Sequence, residues 1–442
     1  MDSPSLIKIP SGNFKEDNYI TNGDTIIFRH DYNKPLNQKH FSKFNYKKII
    51  FSCYDLDDEL DLFEAYENDI LPICYFESQF NHPLTESLAN CPLLTHIYFS
   101  DCFNQPLTNC FDNCPLLTHI DFGSDFNHPL GNSLNNCSLL THINLSDDFN
   151  HPLGNSLNNC SLLTHINLSY NFNHPLGNSL HNLISVTDLN LGWVFNHPLG
   201  NSLNNCTTLT HIVFSNNFNH PLGNSLDNCT ALTHISFGGN FNYPLLHSLD
   251  NCTALTHIVL SRQFNQPLGN SLSNLKSLTH INLGGFFNCP LDNAFDNCTA
   301  LTHIDFGHGF VQRCEFGLCL PPNVSSISLN SNNVDIVNYL SDNIEEIELG
   351  KYFNLELDNL PSSIKKIIFD EYSKYNKELN CLPSGLSILK LTFNYDKQIQ
   401  NRPKSLTKLI CSANYIFIND FADVEIETYQ RDNCTWWHWS KK

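Results

Sequence analysis

Apolar and polar positions along this chain recur with one long, fixed period. Phenylalanine stands at 80, 103, 126, 149, 172, 195, 218, 241, 264, 287 and 310, each 23 residues after the last, and all but Phe310 open the motif Phe-Asn-x-Pro-Leu. Within one unit, Leu140-x-x-Ile143-x-Leu145 sets apolar residues against His142, Asn144 and Ser146, the two-residue alternation of a half-buried strand. Phe149, Leu153, Leu157 and Cys160 then return to the interior on the far side. Pro152 lacks a backbone donor and Gly154 disfavours helix, so turns or a short helical turn are predicted on the return path. No unit can cover its own apolar face; its neighbours must do so. A repeat of about 20 to 29 residues with such a core marks stacked coils with one short parallel strand each. The pattern therefore predicts a repeat solenoid of leucine-rich-repeat type.

The array loosens towards both ends. Residues 1–72 read as an N-terminal cap with degenerate repeats, in which Tyr32-Asn33-Lys34-Pro35-Leu36 is a weakened motif and Lys48-Ile49-Ile50-Phe51 a further strand. The acidic stretch from Asp55 to Asp69 reads as a solvated insertion. Residues 73–310 form the strict array. Residues 311–419 form shorter, divergent leucine-rich coils, whose markers Ile327, Ile347, Ile367, Leu389 and Leu409 lie 20, 20, 22 and 20 residues apart. Residues 420–442 read as a C-terminal cap or tail, and Trp436-Trp437-His438-Trp439 would cover the last coil or serve as a docking peptide.

The ten Phe-Asn-x-Pro-Leu copies between Phe80 and Leu291 resemble the FNIP repeat family, a leucine-rich-repeat relative known mainly from social amoebae and from giant DNA viruses that infect amoebae. The resemblance implies a leucine-rich-repeat-like solenoid and no general catalytic function. Some members carry an amino-terminal F-box that recruits a ubiquitin ligase. Residues 1–45 show no clear Leu-Pro-x-Glu-led helical pattern of that kind.

Charge narrows the partners. With 44 acidic against 24 basic residues the formal net charge is -20, which repels phosphate backbones and argues against nucleic acid. No apolar run of about 18 residues appears, so neither a spanning helix nor a membrane partner is expected. The first residues, Met1 to Lys8, do not read as a secretory signal, and the cytoplasm (the host cytoplasm if the protein is viral) is the expected location. The 18 cysteines are then expected as reduced thiols.

Three residue types form columns. His96, His119, His142, His165, His211, His234, His257, His280 and His303 take the outward strand position, and Asp188 replaces histidine in one coil. Their rings would lie about 4.8 Å apart. A flat row of one residue type does not make a closed tetrahedral metal site, so a structural ladder is expected and no metal or cofactor. Protonating neighbours would crowd like charges, so stability should fall between about pH 7 and 5.5. His82, His128, His151, His174, His197 and His220 sit inside the Phe-Asn-His-Pro turns. Cys91, Cys114, Cys137, Cys160, Cys206, Cys229, Cys252 and Cys298 share a column with Leu183 and Leu275, which marks that column as apolar and inward. Cys314, Cys319 and the Cys434–His438 pair are weaker candidates for chemistry. The asparagines after the phenylalanines, such as Asn127, Asn150 and Asn173, are expected to ladder through their side-chain amides.

Nucleotide-binding, nucleophile-elbow and zinc-protease motifs are absent, so no catalytic residues are expected. The most variable outward column after the strand holds Asp147, Tyr170, Trp193, Asn216, Gly239 and Arg262. Tyrosine, tryptophan and arginine dominate binding energy at protein interfaces. Tyr170, Asp188, Trp193, Val194 and Arg262 are therefore the candidate partner-binding residues. The function expected is a non-enzymatic protein–protein interaction scaffold that binds a protein partner along its strand face. The alternatives are a substrate-recognition subunit for a ubiquitin ligase and metal binding through the histidine columns.

Overall fold

The computed structural model describes residues 19–36, 46–51, 78–84, 87–88, 91–312, 320–338 and 340–429. The acidic stretch from Asp55 to Asp69, Cys314, Cys319, Cys434, the tryptophan-rich tail and much of residues 1–45 lie outside them. The chain divides into two compact units, Met1–Leu232 and Thr233–Lys442.

The first unit opens with an antiparallel hairpin, β1 (Tyr19–Asn22) and β2 (Thr25–Phe28). Gly23 and Asp24 form its two-residue loop, with Gly23 at φ 55°. From there each strand lies parallel to the next: β3 (Lys48–Phe51), β4 (His96–Tyr98), β5 (His119–Asp121), β6 (His142–Asn144), β7 (His165–Asn167), β8 (Asp188–Asn190) and β9 (His211–Val213). Register matches equivalent residues, as in Ile120 beside Ile143 and Ile166 beside Leu189.

The second unit continues the pattern with β10 (His234–Ser236), β11 (His257–Val259), β12 (His280–Asn282) and β13 (His303–Phe306). The shorter coils supply β14 (Ser326–Leu329), β15 (Glu346–Leu349), β16 (Lys366–Phe369), β17 (Ile388–Lys390), β18 (Lys408–Ser412) and β19 (Glu425–Tyr429), again all parallel. Return paths are turns. Among the described residues the helices are α1 (Val334–Asn338) and one 3-10 turn, Ile418–Phe421. Both units are thus parallel β-solenoids with one strand per coil.

The repeat phenylalanines form an internal column in each unit. Phe80, Phe103, Phe126, Phe149, Phe172, Phe195 and Phe218 are fully buried and stack with centroids 6.0–6.3 Å apart. In the second unit Phe241, Phe264, Phe287 and Phe310 repeat this at 6.1 Å. Tyr32 takes the same role in the degenerate repeat, 6.0 Å from Phe80. The outward histidines stack at only 4.1–4.4 Å. Since near-parallel repeated rings are displaced by the local coil spacing, each coil is a wedge, narrow at the strand face and wider behind it.

Polar ladders satisfy the turns that this stacking buries. The Asn104, Asn127, Asn150, Asn173, Asn196 and Asn219 amide N–H groups each donate to the Oδ1 of the asparagine one coil earlier, at 2.9–3.0 Å. Buried Ser100, Ser146, Ser169, Ser215 and Ser261 donate their hydroxyls to the carbonyls of Phe80, Phe126, Phe149, Phe195 and Phe241. An unpaired buried carbonyl or amide costs about 1–3 kcal/mol, so the ladders are as necessary as the apolar columns. The cysteine column is buried and unbridged; burial pushes the Cys160 and Cys206 thiols up to about 11.

Candidate functional site

The strand faces carry the histidine columns. Each histidine is fixed by the threonine before it: Thr118 donates its hydroxyl to the Thr95 carbonyl at 3.0 Å, and His119 Nδ1 lies 2.8 Å from that hydroxyl. A hydroxyl has one proton, already given to the carbonyl, so Nδ1–H must be the donor. The same pair of bonds recurs at Thr141–His142, Thr164–His165, Thr256–His257, Thr279–His280 and Thr302–His303. The turn histidines take the opposite tautomer: His151, His174, His197 and His220 donate from Nε2 to asparagine carbonyls one coil earlier. In both sets one ring nitrogen is committed to a fixed hydrogen bond, which orients the ring.

Asp188 interrupts the column in β8. Its carboxylate lies 3.4 Å from His165 Nε2 and 3.4 Å from His211 Nδ1, so the substituted coil is bracketed by imidazoles on both sides.

Tyr170 and Trp193 are brought together. Their rings stack at 5.4 Å and 5°, and each remains nearly half exposed, 48% and 46%. They stand in the turns that follow β7 and β8, so they line the rim beside the strand face rather than the face itself. The backbone enforces the pairing: Asn171 N–H donates to the Asp147 carbonyl at 2.8 Å, Val194 N–H to the Tyr170 carbonyl at 3.0 Å and Asn217 N–H to the Trp193 carbonyl at 3.0 Å. Val194 is thereby half-buried beneath the rim. Gly192 directs Trp193 outwards. Its φ of +76° and a Ser169 carbonyl only 1.9 Å from where a Cβ would sit admit no side chain. Arg262, in the equivalent column of the second unit, lies over the Phe286 ring at 5.5 Å.

The second unit has a shallow concavity of about 320 Å³ on its strand face, lined in part by His280, His303, Asp305, Ser328, Glu346 and Glu348. Burial, with the His303 and His257 charges adding, pulls His280 down to about 4. Burial and then Glu348 push the Asp305 carboxyl up to about 6, against a 2.6 Å hydrogen bond from Asn282 Nδ2. Sequence reading missed this site. Its signal was Asp305 and Glu348, carboxylates two coils apart in a strand column that also holds Val259, Asn282 and Ser328. Ladder geometry sets these groups in rows, and among the described residues no cluster of three or more His, Cys, Asp or Glu is placed to hold a metal ion. No described helix is long and apolar enough to cross a membrane.

Comparison with known proteins agrees with this geometry. A BspA type leucine rich repeat region matches residues 65–196 and 199–302, in six copies, which is more than half of the chain. An FNIP repeat matches residues 332–372, in the shorter coils rather than the strict array. No curated protein matches the sequence. Among solved structures, the circular LRR protein CroV588, of the giant virus CroV, is 25% identical, with a TM-score of 0.58, 89% of this chain and 67% of that one covered. A chain of the Toll–Spätzle complex of Drosophila is 14% identical at a TM-score of 0.58, over 89% of this chain and 53% of its own. The LRR protein LIC12759 of Leptospira interrogans is 13% identical at 0.50, over 83% and 98%.

Proposed function

Because the chain belongs to the BspA-type leucine-rich-repeat family, we propose that it is a non-enzymatic scaffold that binds a protein partner along its strand face and the adjoining rim. The observation that carries this reading is the Tyr170–Trp193 stack. Two large aromatic side chains stack on each other and stand half in water. Rigid, exposed aromatics lose little entropy on binding and supply much of the energy at protein interfaces. Asp188, bracketed by imidazoles on the neighbouring face, supplies a polar contact with a fixed orientation. One solved neighbour of the same fold comes from a protein–protein complex, Toll–Spätzle. The cytoplasm is the compartment we propose.

Carboxylate-reactive crosslinking and mass spectrometry in the native cell tests the scaffold. Crosslinks to one partner should fall on the rim around residues 147–194 and fade in Trp193→Ala, a substitution at a half-exposed site that should leave the fold intact. Crosslinks indifferent to Trp193, or confined to the opposite turns, would reject it.

A further inference from the structure

Charge is not spread evenly along the chain. Residues 49–261 contain 19 Asp and Glu and neither Lys nor Arg, while all 24 basic residues lie before or after, accompanied there by 25 acidic ones. Nearly the whole net charge of -20 therefore belongs to this stretch. In the shorter coils, carboxylates meet cations of the same chain: Glu345 with Lys365, Glu371 with Lys390, Asp423 with Arg402, and Glu425 and Glu427 with Lys408. Residues 49–261 have no such cations to offer.

At the rim this unbalanced charge meets the aromatic stack. One coil before Tyr170 the same turn column holds Asp147, followed by Asp148, both exposed. The Asp147 carbonyl accepts the Asn171 N–H at 2.8 Å, and Asp148 Oδ1 accepts from the Asn171 side chain at 2.9 Å, so the Asp147 backbone and the Asp148 carboxylate are tied to the coil that presents Tyr170. Two acidic side chains thus adjoin two stacked rings on one edge.

We propose that this edge, Asp147 and Asp148 beside the Tyr170–Trp193 stack, receives an arginine-bearing basic segment of a partner protein. The guanidinium lies flat on the exposed aromatic face and donates to the carboxylates. The chain itself contains this arrangement elsewhere. Arg402 lies 5.4 Å over the Phe421 ring and donates from both terminal nitrogens to Asp423, at 2.8 and 2.7 Å. A planar, weakly hydrated guanidinium can stack and bond bidentately at once, which an ammonium cannot. The proposal rests on the scaffold reading and names the partner's chemistry at that surface.

Fluorescence anisotropy of labelled octa-arginine, octa-lysine and octa-glutamate with the full chain tests it. Octa-arginine should bind more tightly than octa-lysine, and octa-glutamate not at all. Tyr170→Ala with Trp193→Ala should weaken octa-arginine about tenfold while barely moving octa-lysine. Trp193→Phe in the otherwise native chain should keep most of the affinity. Asp147→Asn with Asp148→Asn should weaken both basic peptides, and unchanged melting temperatures would show each variant folded. Equal affinity for the two basic peptides, or indifference to the aromatic pair, overturns the proposal, because a diffuse acidic field would then explain all binding. Should native-cell crosslinks still depend on Trp193 in that case, the arginine assignment falls and the scaffold stands. If the peptide results hold but rim crosslinks are missing, it is the scaffold reading that falls.

Discussion

Single residues set the terms on which the rim and the strand face exist. Gly192 and Gly200 both have positive φ, +76° and +52°, yet a Cβ at Gly192 would meet the Ser169 carbonyl whereas one at Gly200 would meet nothing within 4 Å. Gly200→Ala should therefore cost about 1 kcal/mol, and Gly192→Ala about 3 kcal/mol or more, by urea unfolding. Gly192→Ala should also displace Trp193 and quench the interaction with Tyr170. Titration acts in two directions. His280, pulled down to about 4 from 6.5, takes up its proton in the unfolded chain first, so its contribution is full above pH 6.5 and is lost as pH falls towards 4. Asp305, pushed up from 3.8 to about 6, protonates first in the folded chain and offsets part of that loss as pH falls through 6. Melting temperature should fall between pH 7 and 5; the fall should shrink in His280→Gln and deepen in Asp305→Asn. Equal slopes in all three proteins would remove these groups from the account.

At the scale of the coil, the hydrogen-bond ladders are the test of how stacking works. Asn150 Oδ1 accepts the Asn173 N–H at the exposed edge of the coil, next to the buried Phe172. Asn150→Ala should cost about 0.5–1.5 kcal/mol, Asn150→Asp distinctly less, since a carboxylate oxygen still accepts. Much of this coil was legible beforehand, because a 23-residue spacing forces chemically equal residues into contact. The phenylalanine column, the asparagine ladder and the inward cysteines all follow from that, and the strands at 326–329, 346–349 and 366–369 follow from the 20-residue spacing of Ile327, Ile347 and Ile367. What depends on a turn angle was harder to read. Tyr170 and Trp193 look outward in the sequence pattern, but only the turns after β7 and β8 place them on the rim. The hairpin β1–β2 has no repeat to announce it, though Gly23-Asp24 was a usable signal. The His–Thr bonds and the tautomers they impose require knowing that each threonine hydroxyl is already committed to a carbonyl.

For the whole molecule, electrostatics separates the array from its flanks. With 19 carboxylates and no lysine or arginine between residues 49 and 261, self-repulsion opposes folding there, and salt should relieve it. Melting temperature should rise by a few degrees between about 20 and 300 mM sodium chloride, opposite to the response of a protein stabilised mainly by surface ion pairs. A flat or falling trend would mean that the array tolerates its own field. The same absence governs what can be done to this protein in a cell. Trypsin finds no site from Lys48 to Arg262 and must release residues 49–262 as one long peptide. Ubiquitin and acetyl groups, which attach to lysine amines, find no lysine from residue 49 to 261, so the nearest side-chain anchor points on either side of that span are Lys48 and Lys276.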